Sequence, residues 1–152
     1  MGMDLLGSDF PYASNALQGK HALVCGASKG IGRATAMMMA KAGANVTVCA
    51  RNEAALAELC DELSALGAGE HASLVLDLED QAALQSSLPL LLSQRGAVHI
   101  LVNNAAGPPG GPLLGNTLSD FDAPFRRHLH AAHTLTQLIV PGMEDAGYGR
   151  II

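Results

Sequence analysis

The 152-residue sequence has few aromatic residues, no tryptophan and few cations. Lys and Arg together number nine against 14 Asp and Glu, which gives a formal net charge of −5. The nine cations are spread along the chain without a basic run, whereas a nucleic-acid-binding surface needs clustered positive charge. We therefore expect no nucleic-acid partner.

Long apolar runs are also missing. No stretch is long enough to cross a bilayer, and residues 1–18 lack the basic segment and apolar core of a signal peptide. We therefore expect no membrane partner and a cytoplasmic protein.

Cysteine is scarce, and no metal-site spacing occurs. Cys25, Cys49 and Cys60 are odd in number and form no Cys-x2-Cys pair, which favours reduced packing residues. His130 and His133 could share a helix face, but they lack the Glu and the further ligand of a zinc site. His128 and His130 are two positions apart, so their side chains face different directions on a helix. We predict no metal.

Apolar runs alternate with helical patterns throughout the rest of the chain. An N-terminal arm over residues 1–18 precedes a single domain over residues 19–152. Gly43 and Gly67 are expected to end two of the helices, and residues 108–112 form a turn-rich loop. The predicted strands are 21–25, 46–49, 72–76, 98–102 and one that begins at about 149; the predicted helices are 31–42, 53–66, 79–94 and 119–146.

This order predicts an α/β fold with a Rossmann-type doubly wound parallel sheet. Strands that are continuously apolar are buried on both faces, as in a parallel sheet covered by helices. Right-handed crossovers then give the strand order 3-2-1-4-5, with a ligand at the switch point between strands one and four. The chain ends within strand five, so we expect a domain that is truncated at its C-terminal end.

A glycine-rich segment links strand one to the first helix. It has glycines at Gly26, Gly30 and Gly32, in the spacing Gly-x3-Gly-x-Gly. A helix start leaves backbone N–H groups without partners, and glycines allow a pyrophosphate to approach them. The alternative is that the glycines serve only close packing.

A second motif follows strand four, at Asn103-Asn104-Ala105-Ala106-Gly107. Together the two segments resemble the short-chain dehydrogenase/reductase family, and the chain is similar to 3-oxoacyl-acyl-carrier-protein reductases. The sequence departs from the family at Ala106, where glycine is usual, and at Cys25, where threonine is common. The resemblance implies hydride transfer between a nicotinamide cofactor and a small carbonyl or alcohol substrate, and a homo-oligomer in the full-length protein.

The resemblance also implies a set of cofactor-binding residues. Gly26, Gly30 and Gly32 form the pyrophosphate loop, with backbone contacts from Ser28 and Ile31.

The end of strand two is expected to select the cofactor. A carboxylate there would bind the ribose 2′-OH, but the chain has Arg51 and Asn52 instead, and Lys29 adds a second cation from the glycine loop. Because a guanidinium binds phosphate through two donors, we predict NADP (NADPH). The alternative is that both cations are ordinary solvated side chains.

Three further positions complete the implied cofactor site. Asp77 and Leu78, at the end of strand three, resemble the family's acidic-apolar pair beside the adenine, although Asp77 has an alternative role as the cap of the next helix. Asn103 is expected to reach the adenosine ribose, or else to stabilise a turn. Ala105 lies in the same matching motif.

His128 takes the register position of a family asparagine that supports a proton relay. Imidazole both accepts and donates, so we predict a catalytic role, with a helix-surface histidine as the alternative. The family's catalytic serine and Tyr-x3-Lys do not occur in this sequence. We therefore expect the chain alone to be inactive; a non-catalytic nucleotide-binding or regulatory module is the alternative function.

Overall fold

The computed structural model describes residues 13–66, 69–107 and 110–152, in a five-stranded parallel sheet. Its strand order is β3-β2-β1-β4-β5, which confirms the predicted fold. The strands are β1 (His21–Cys25), β2 (Asn45–Ala50), β3 (His71–Val75), β4 (Ile100–Val102) and β5 (Arg150–Ile151). The helices are α1 (Gly30–Lys41), α2 (Glu53–Leu66), α3 (Gln81–Arg95), α4 (Ser119–Phe125) and α5 (Ala131–Asp145).

Alternate residues of the central strand β1 face two separate apolar layers. Ala22 and Val24 belong to the cluster that includes residues of α1 and α2. Leu23 and Cys25 belong to the cluster that includes residues of α3 and α5. Because successive side chains of a strand point to opposite faces, this division places helices on both faces of the sheet.

The outer strands are less buried than the sequence predicts. β1 and β4 are buried along their whole length, but Val75 of β3 is 48% exposed and both residues of β5 are exposed. The expectation that every strand is buried on both faces is therefore wrong for the outer strands. β3 lies at the edge of the described sheet, where it pairs with β2, and an outer strand receives less cover from the helices than a central one.

α1 lies one residue earlier than predicted, and two other helices differ more from their predicted bounds. α3 begins at Gln81 instead of residue 79 because Asp80 caps it, with its side chain accepting from the Ala83 amide at 2.9 Å. The single helix predicted over 119–146 is divided by a π-helical turn, Arg126–His130, which begins two residues after Pro124. Proline cannot donate the usual backbone hydrogen bond, and π turns accommodate such local disruption.

The described end of the predicted arm packs against the domain. The Leu17 amide donates to the Ala42 carbonyl at 2.8 Å, and the Leu17 side chain contacts the core. Gly43 ends α1 with a φ of 91°, as predicted. Residues 1–12, Gly67 and the first two residues of the predicted 108–112 loop lie outside the described residues.

Three histidines line the edge of the sheet where the strands begin. The His21 amide donates to Nδ1 of His99 at 3.0 Å, and the Val46 amide donates to Nδ1 of His71 at 3.2 Å. Nε2 of the buried His21 lies 2.8 Å from Oγ1 of the buried Thr47. We call His21, His71 and His99 the histidine row.

The cysteines are free thiols, as predicted. Cys25 and Cys49 are buried and lie in register on neighbouring strands, and Cys60 is half-buried. A hydrogen bond with Cys49, together with burial, raises the pKa of the Cys25 thiol well above its usual value. None of the helices in the described ranges is long and apolar enough to cross a membrane.

Candidate functional site

A cavity of about 640 Å³ opens where the first four strands end. Parallel α/β sheets bind ligands at this edge, next to the point where the strand order reverses. The cavity is lined by Gly26, Ser28, Lys29, Gly30, Ile31, Ala50, Arg51, Asn52, Ala55, Leu76, Asp77, Leu78, Asn104, Ala105, Ala106 and Arg127. The fold therefore brings together ten of the thirteen residues named above as site residues.

The three motif glycines have different surroundings. Gly26 and Gly30 adopt left-handed φ angles of 60° and 58°. A Cβ at Gly26 would lie 2.6 Å from the side-chain nitrogen of Asn104, and a Cβ at the buried Gly32 would strike the backbone of Gly26. A Cβ at Gly30 would meet nothing within 4 Å. Gly26 and Gly32 thus serve close packing, and Gly30 leaves open space beside the cavity.

Asn104 fixes the glycine loop against the end of β4. Its side-chain amide donates to the carbonyls of Cys25 and Gly26, each at 3.2 Å. Asn104 belongs to the second predicted motif but was not among the predicted cofactor-binding residues. Its neighbour in that motif, Asn103, does not line the cavity. The Asn103 backbone amide instead donates to the carbonyl of Ile152, the residue after β5, at 2.7 Å.

The start of α1 presents uncapped backbone donors to the cavity. Lys29 occupies the N-cap position, its side chain makes no capping hydrogen bond, and the first turn contains no acidic residue. Ile31, in that turn, is 78% exposed. Unpaired N–H groups and the positive end of the helix dipole favour an anion there, so the loop fits a dinucleotide pyrophosphate.

Arg51 is the more exposed partner of a long ion pair. Its NH1 lies 3.7 Å from Oδ2 of Asp77, with 69% of the Arg51 side chain and 42% of the Asp77 side chain exposed. At this exposure the pair is weak, so Arg51 remains available to a ligand. The adjacent Asn52 accepts from the Ala55 amide at 3.1 Å, which satisfies a donor at the start of α2.

Asp77 does not cap α3, so that alternative role is wrong. Its Oδ1 accepts from the Glu79 amide at 3.0 Å, within the turn that precedes the helix, and the cap is Asp80. Asp77 and Leu78 both line the cavity, and Oδ2 of Asp77 is the oxygen that pairs with Arg51.

His128 is exposed and does not line the cavity. Its Nε2 lies 3.2 Å from the carbonyl oxygen of Ala106, and because a carbonyl only accepts, the imidazole donates there. Across residues 13–66, 69–107 and 110–152, no three His, Cys, Asp or Glu side chains are placed to hold a metal ion.

Sequence reasoning missed Arg127, a charged residue of the cavity wall. Arg127 lies in the π-helical turn and forms an ion pair with Glu79, its NH2 2.7 Å from Oε1. The adjacent His128 was a predicted site residue, but the three-dimensional structure places Arg127, and not His128, in the lining of the cavity.

Comparison with known proteins agrees with this geometry. A family model described as short chain dehydrogenase matches residues 20–152. The 7α-hydroxysteroid dehydrogenase of Escherichia coli K12 is 36% identical over 137 residues, which cover 90% of this chain and 52% of that protein. The 3-oxoacyl-[acyl-carrier-protein] reductase of the same strain is 35% identical over 135 residues, 89% of this chain and 54% of that protein.

Solved structures give the same result. The crystal structure of L-sorbose reductase from Gluconobacter frateurii, complexed with NADPH and L-sorbose, has a TM-score of 0.84 at 27% identity and covers 91% of this chain and 53% of that one. A 7α-hydroxysteroid dehydrogenase complexed with NADH has a TM-score of 0.82 at 34% identity, over 91% of this chain and 53% of that one. The chain spans about half the length of the curated relatives it matches. The fold, the glycine loop and the family match together show that this chain belongs to the short-chain dehydrogenase family.

Proposed function

We propose that the protein is an NADP(H)-dependent oxidoreductase that transfers a hydride between nicotinamide and a small carbonyl or alcohol substrate. The observation that carries this proposal is the cavity itself, where a glycine loop and an uncapped helix start face two exposed cations, Lys29 and Arg51. In this proposal residues 19–152 form a dinucleotide-binding domain and residues 1–18 an arm.

The glycine loop is proposed to bind the pyrophosphate. The segment from Gly26 to Gly32 leads from β1 into the first turn of α1, and Ser28 and Ile31 of this segment line the cavity. Their N–H groups would donate to phosphate oxygens without any change of the loop, because Asn104 already holds it in place.

The adenosine end is proposed to lie between the ends of β2, β3 and β4. Asp77 can accept from the exocyclic amine, and Leu78 and Ala105 offer apolar surface in the same cavity. Asn103, half-buried at the end of β4, is proposed to reach the ribose from the edge of this region.

The preference for NADPH is proposed from Lys29 and Arg51. A 2′-phosphate beside the exposed Arg51 guanidinium would replace a weak ion pair at 3.7 Å with a charge-assisted contact. The relatives do not decide the question, because the L-sorbose reductase structure contains NADPH and the 7α-hydroxysteroid dehydrogenase structure contains NADH.

The proposed reaction separates the work of cofactor and protein. When bound, the cofactor supplies or accepts the hydride at the substrate carbon. This chain binds and orients the cofactor, and His128 is proposed to hold a proton in the relay that serves the family's tyrosine and lysine. The Ala106 carbonyl fixes one ring nitrogen of His128, which leaves Nδ1 to accept from a water molecule.

The family resemblance also supports assembly of the full-length protein into a homo-oligomer. Four apolar side chains of the segment that leads into α5 are exposed: Leu118, Phe121, Phe125 and Leu129. A cytoplasmic location is proposed from the three free thiols, which suit a reducing compartment.

Cofactor titration by calorimetry tests the proposal. We expect the protein to bind NADPH more tightly than NADH, and Arg51→Ala to reduce that ratio about tenfold, because a hydrogen bond to a charged group is lost. Arg126→Ala is the matched control, since Arg126 is exposed and does not line the cavity. Tighter binding of NADH, or a ratio that Arg51→Ala leaves unchanged, would contradict the proposed preference.

A further inference from the structure

Arg127 connects two walls of the cavity, and the function proposed above gives it no role. Its Nε and NH2 lie 2.8 and 2.7 Å from the same oxygen of Glu79, Oε1. Its NH1 donates to the carbonyl of Ala106 at 2.8 Å and lies 3.4 Å from that of Gly107. One guanidinium therefore binds two different segments of the chain at once.

Each of these segments borders the cavity. Glu79 directly follows Asp77 and Leu78 after β3, and Ala106 belongs to the segment that follows β4. Hydrogen bonds to the carbonyls of 106 and 107 join Arg127 to the second segment, which carries the lining residues Ala105 and Ala106. Without Arg127, the wall after β4 loses this hydrogen-bonded link to the wall after β3.

The environment of Arg127 makes this link stronger than an ordinary surface ion pair. Only 20% of the Arg127 side chain and 26% of the Glu79 side chain are exposed. A guanidinium also holds its donors in one rigid plane, so it can bind a carboxylate and a carbonyl simultaneously. Flexible lysine lacks that fixed arrangement.

We propose that Arg127 is a positioning residue for the adenosine end of the cofactor, which it serves by holding the segment 103–107 against the segment 77–79. The inference rests on the proposed function, because Asp77 and Leu78 are proposed there to contact the adenine. Arg127 acts on the shape of this pocket and not on the phosphate, since each of its three side-chain nitrogens already contacts Glu79 or the two carbonyls.

Loss of Arg51 and loss of Arg127 are therefore expected to affect dinucleotide binding differently. Arg51 is 69% exposed and pairs at 3.7 Å, so its loss affects the phosphorylated cofactor. Loss of Arg127 widens the pocket for any adenosine and leaves the preference between the two dinucleotides unchanged.

The experiment measures Kd by calorimetry for NADPH, NADH and adenosine 2′,5′-bisphosphate in the wild type and in Arg127→Met. All three Kd values are expected to rise about tenfold, with an unchanged NADPH-to-NADH ratio. Arg126→Met removes the same charge from the same helical turn and is expected to bind like the wild type. Hydrogen exchange should quicken in residues 103–107 of Arg127→Met, while the amides of β3 exchange as before.

Glu79→Gln is the second variant, in case Arg127→Met does not fold. It keeps an oxygen acceptor for Arg127 but removes the negative charge, so a smaller rise in all three Kd values is expected, and Arg127→Lys should recover part of the affinity lost in Arg127→Met. Wild-type affinity in both Arg127→Met and Glu79→Gln, or a loss confined to NADPH, overturns the positioning role alone. A wild-type protein that binds none of the three ligands overturns the proposed function as well.

Discussion

Acidification from pH 7 to pH 5 is expected to destabilise the fold through His21. This histidine is buried at the start of the central strand β1, and burial, followed by the nearby Arg95, lowers its pKa from 6.5 to about 4. In the unfolded chain it titrates at its ordinary value. Between those two values the unfolded state therefore binds more protons, and stability falls as the pH falls.

The size of the effect follows from the two pKa values. Above pH 6.5 the neutral His21 makes its full contribution to the free energy of unfolding, and below pH 4 that contribution is lost. Proton linkage gives a loss of about 2 kcal/mol between pH 7 and pH 5, within a total of about 3 kcal/mol. Burial also lowers the pKa of His71 and of His99, so the wild type loses stability from the whole histidine row in the same direction.

The assay is chemical denaturation at pH 7, 6 and 5 for the wild type and for His21→Gln. Glutamine cannot titrate, and its amide can reach the hydroxyl of Thr47, which lies 2.8 Å from Nε2 of His21. The variant is expected to lose about 2 kcal/mol less than the wild type over this interval. His130→Gln, at an exposed position, serves as the control and should follow the wild type. Parallel curves for wild type and His21→Gln would refute the reasoning.

Three further predictions concern the glycine loop, Asn104 and His128. Gly32→Ala is expected to weaken cofactor binding at least tenfold and to lower the melting temperature, because the new Cβ would strike the backbone of Gly26. Gly147→Ala, at an open left-handed position, should affect only stability. Equal dinucleotide affinity in the two variants would contradict this prediction. Asn104→Ala leaves the carbonyls of Cys25 and Gly26 without their donor, so NADPH affinity measured by calorimetry should fall, and Asn104→Asp should not restore it because a carboxylate cannot donate. In the full-length enzyme, His128→Asn should keep most of kcat and His128→Leu should lose most of it; similar rates in steady-state assays would indicate a helix-surface histidine.

The sheet order and the glycine loop were predictable because they depend on local patterns. Continuously apolar runs such as those of β1 and β4 are typical of central strands, which are buried on both faces. The right-handed crossovers between parallel strands then determine the strand order. The glycines at 26, 30 and 32 follow from the same local logic, since the turn from strand to helix requires left-handed backbone at two of them.

What sequence reasoning missed depends on contacts between distant segments. Arg127 is one charged residue among several in its helix, and its link to Glu79 spans 48 positions of the chain. The π-helical turn after Pro124 also changes which side chains face the cavity, and regular helical spacing does not predict it. The exposure of β3 likewise follows from its outer place in the sheet and not from its own composition.

The histidine row and the cavity lie at opposite ends of the same strands. Residues 22–25 of β1 separate His21 from Gly26 of the glycine loop, and the two positions are about 16 Å apart along an extended strand. Substitutions in the row and in the cavity are far enough apart for their energetic effects to add. Acid tolerance can therefore be engineered at His21 and His71 while the nucleotide pocket is left unchanged, and variants from the two ends can be combined without a new round of optimisation.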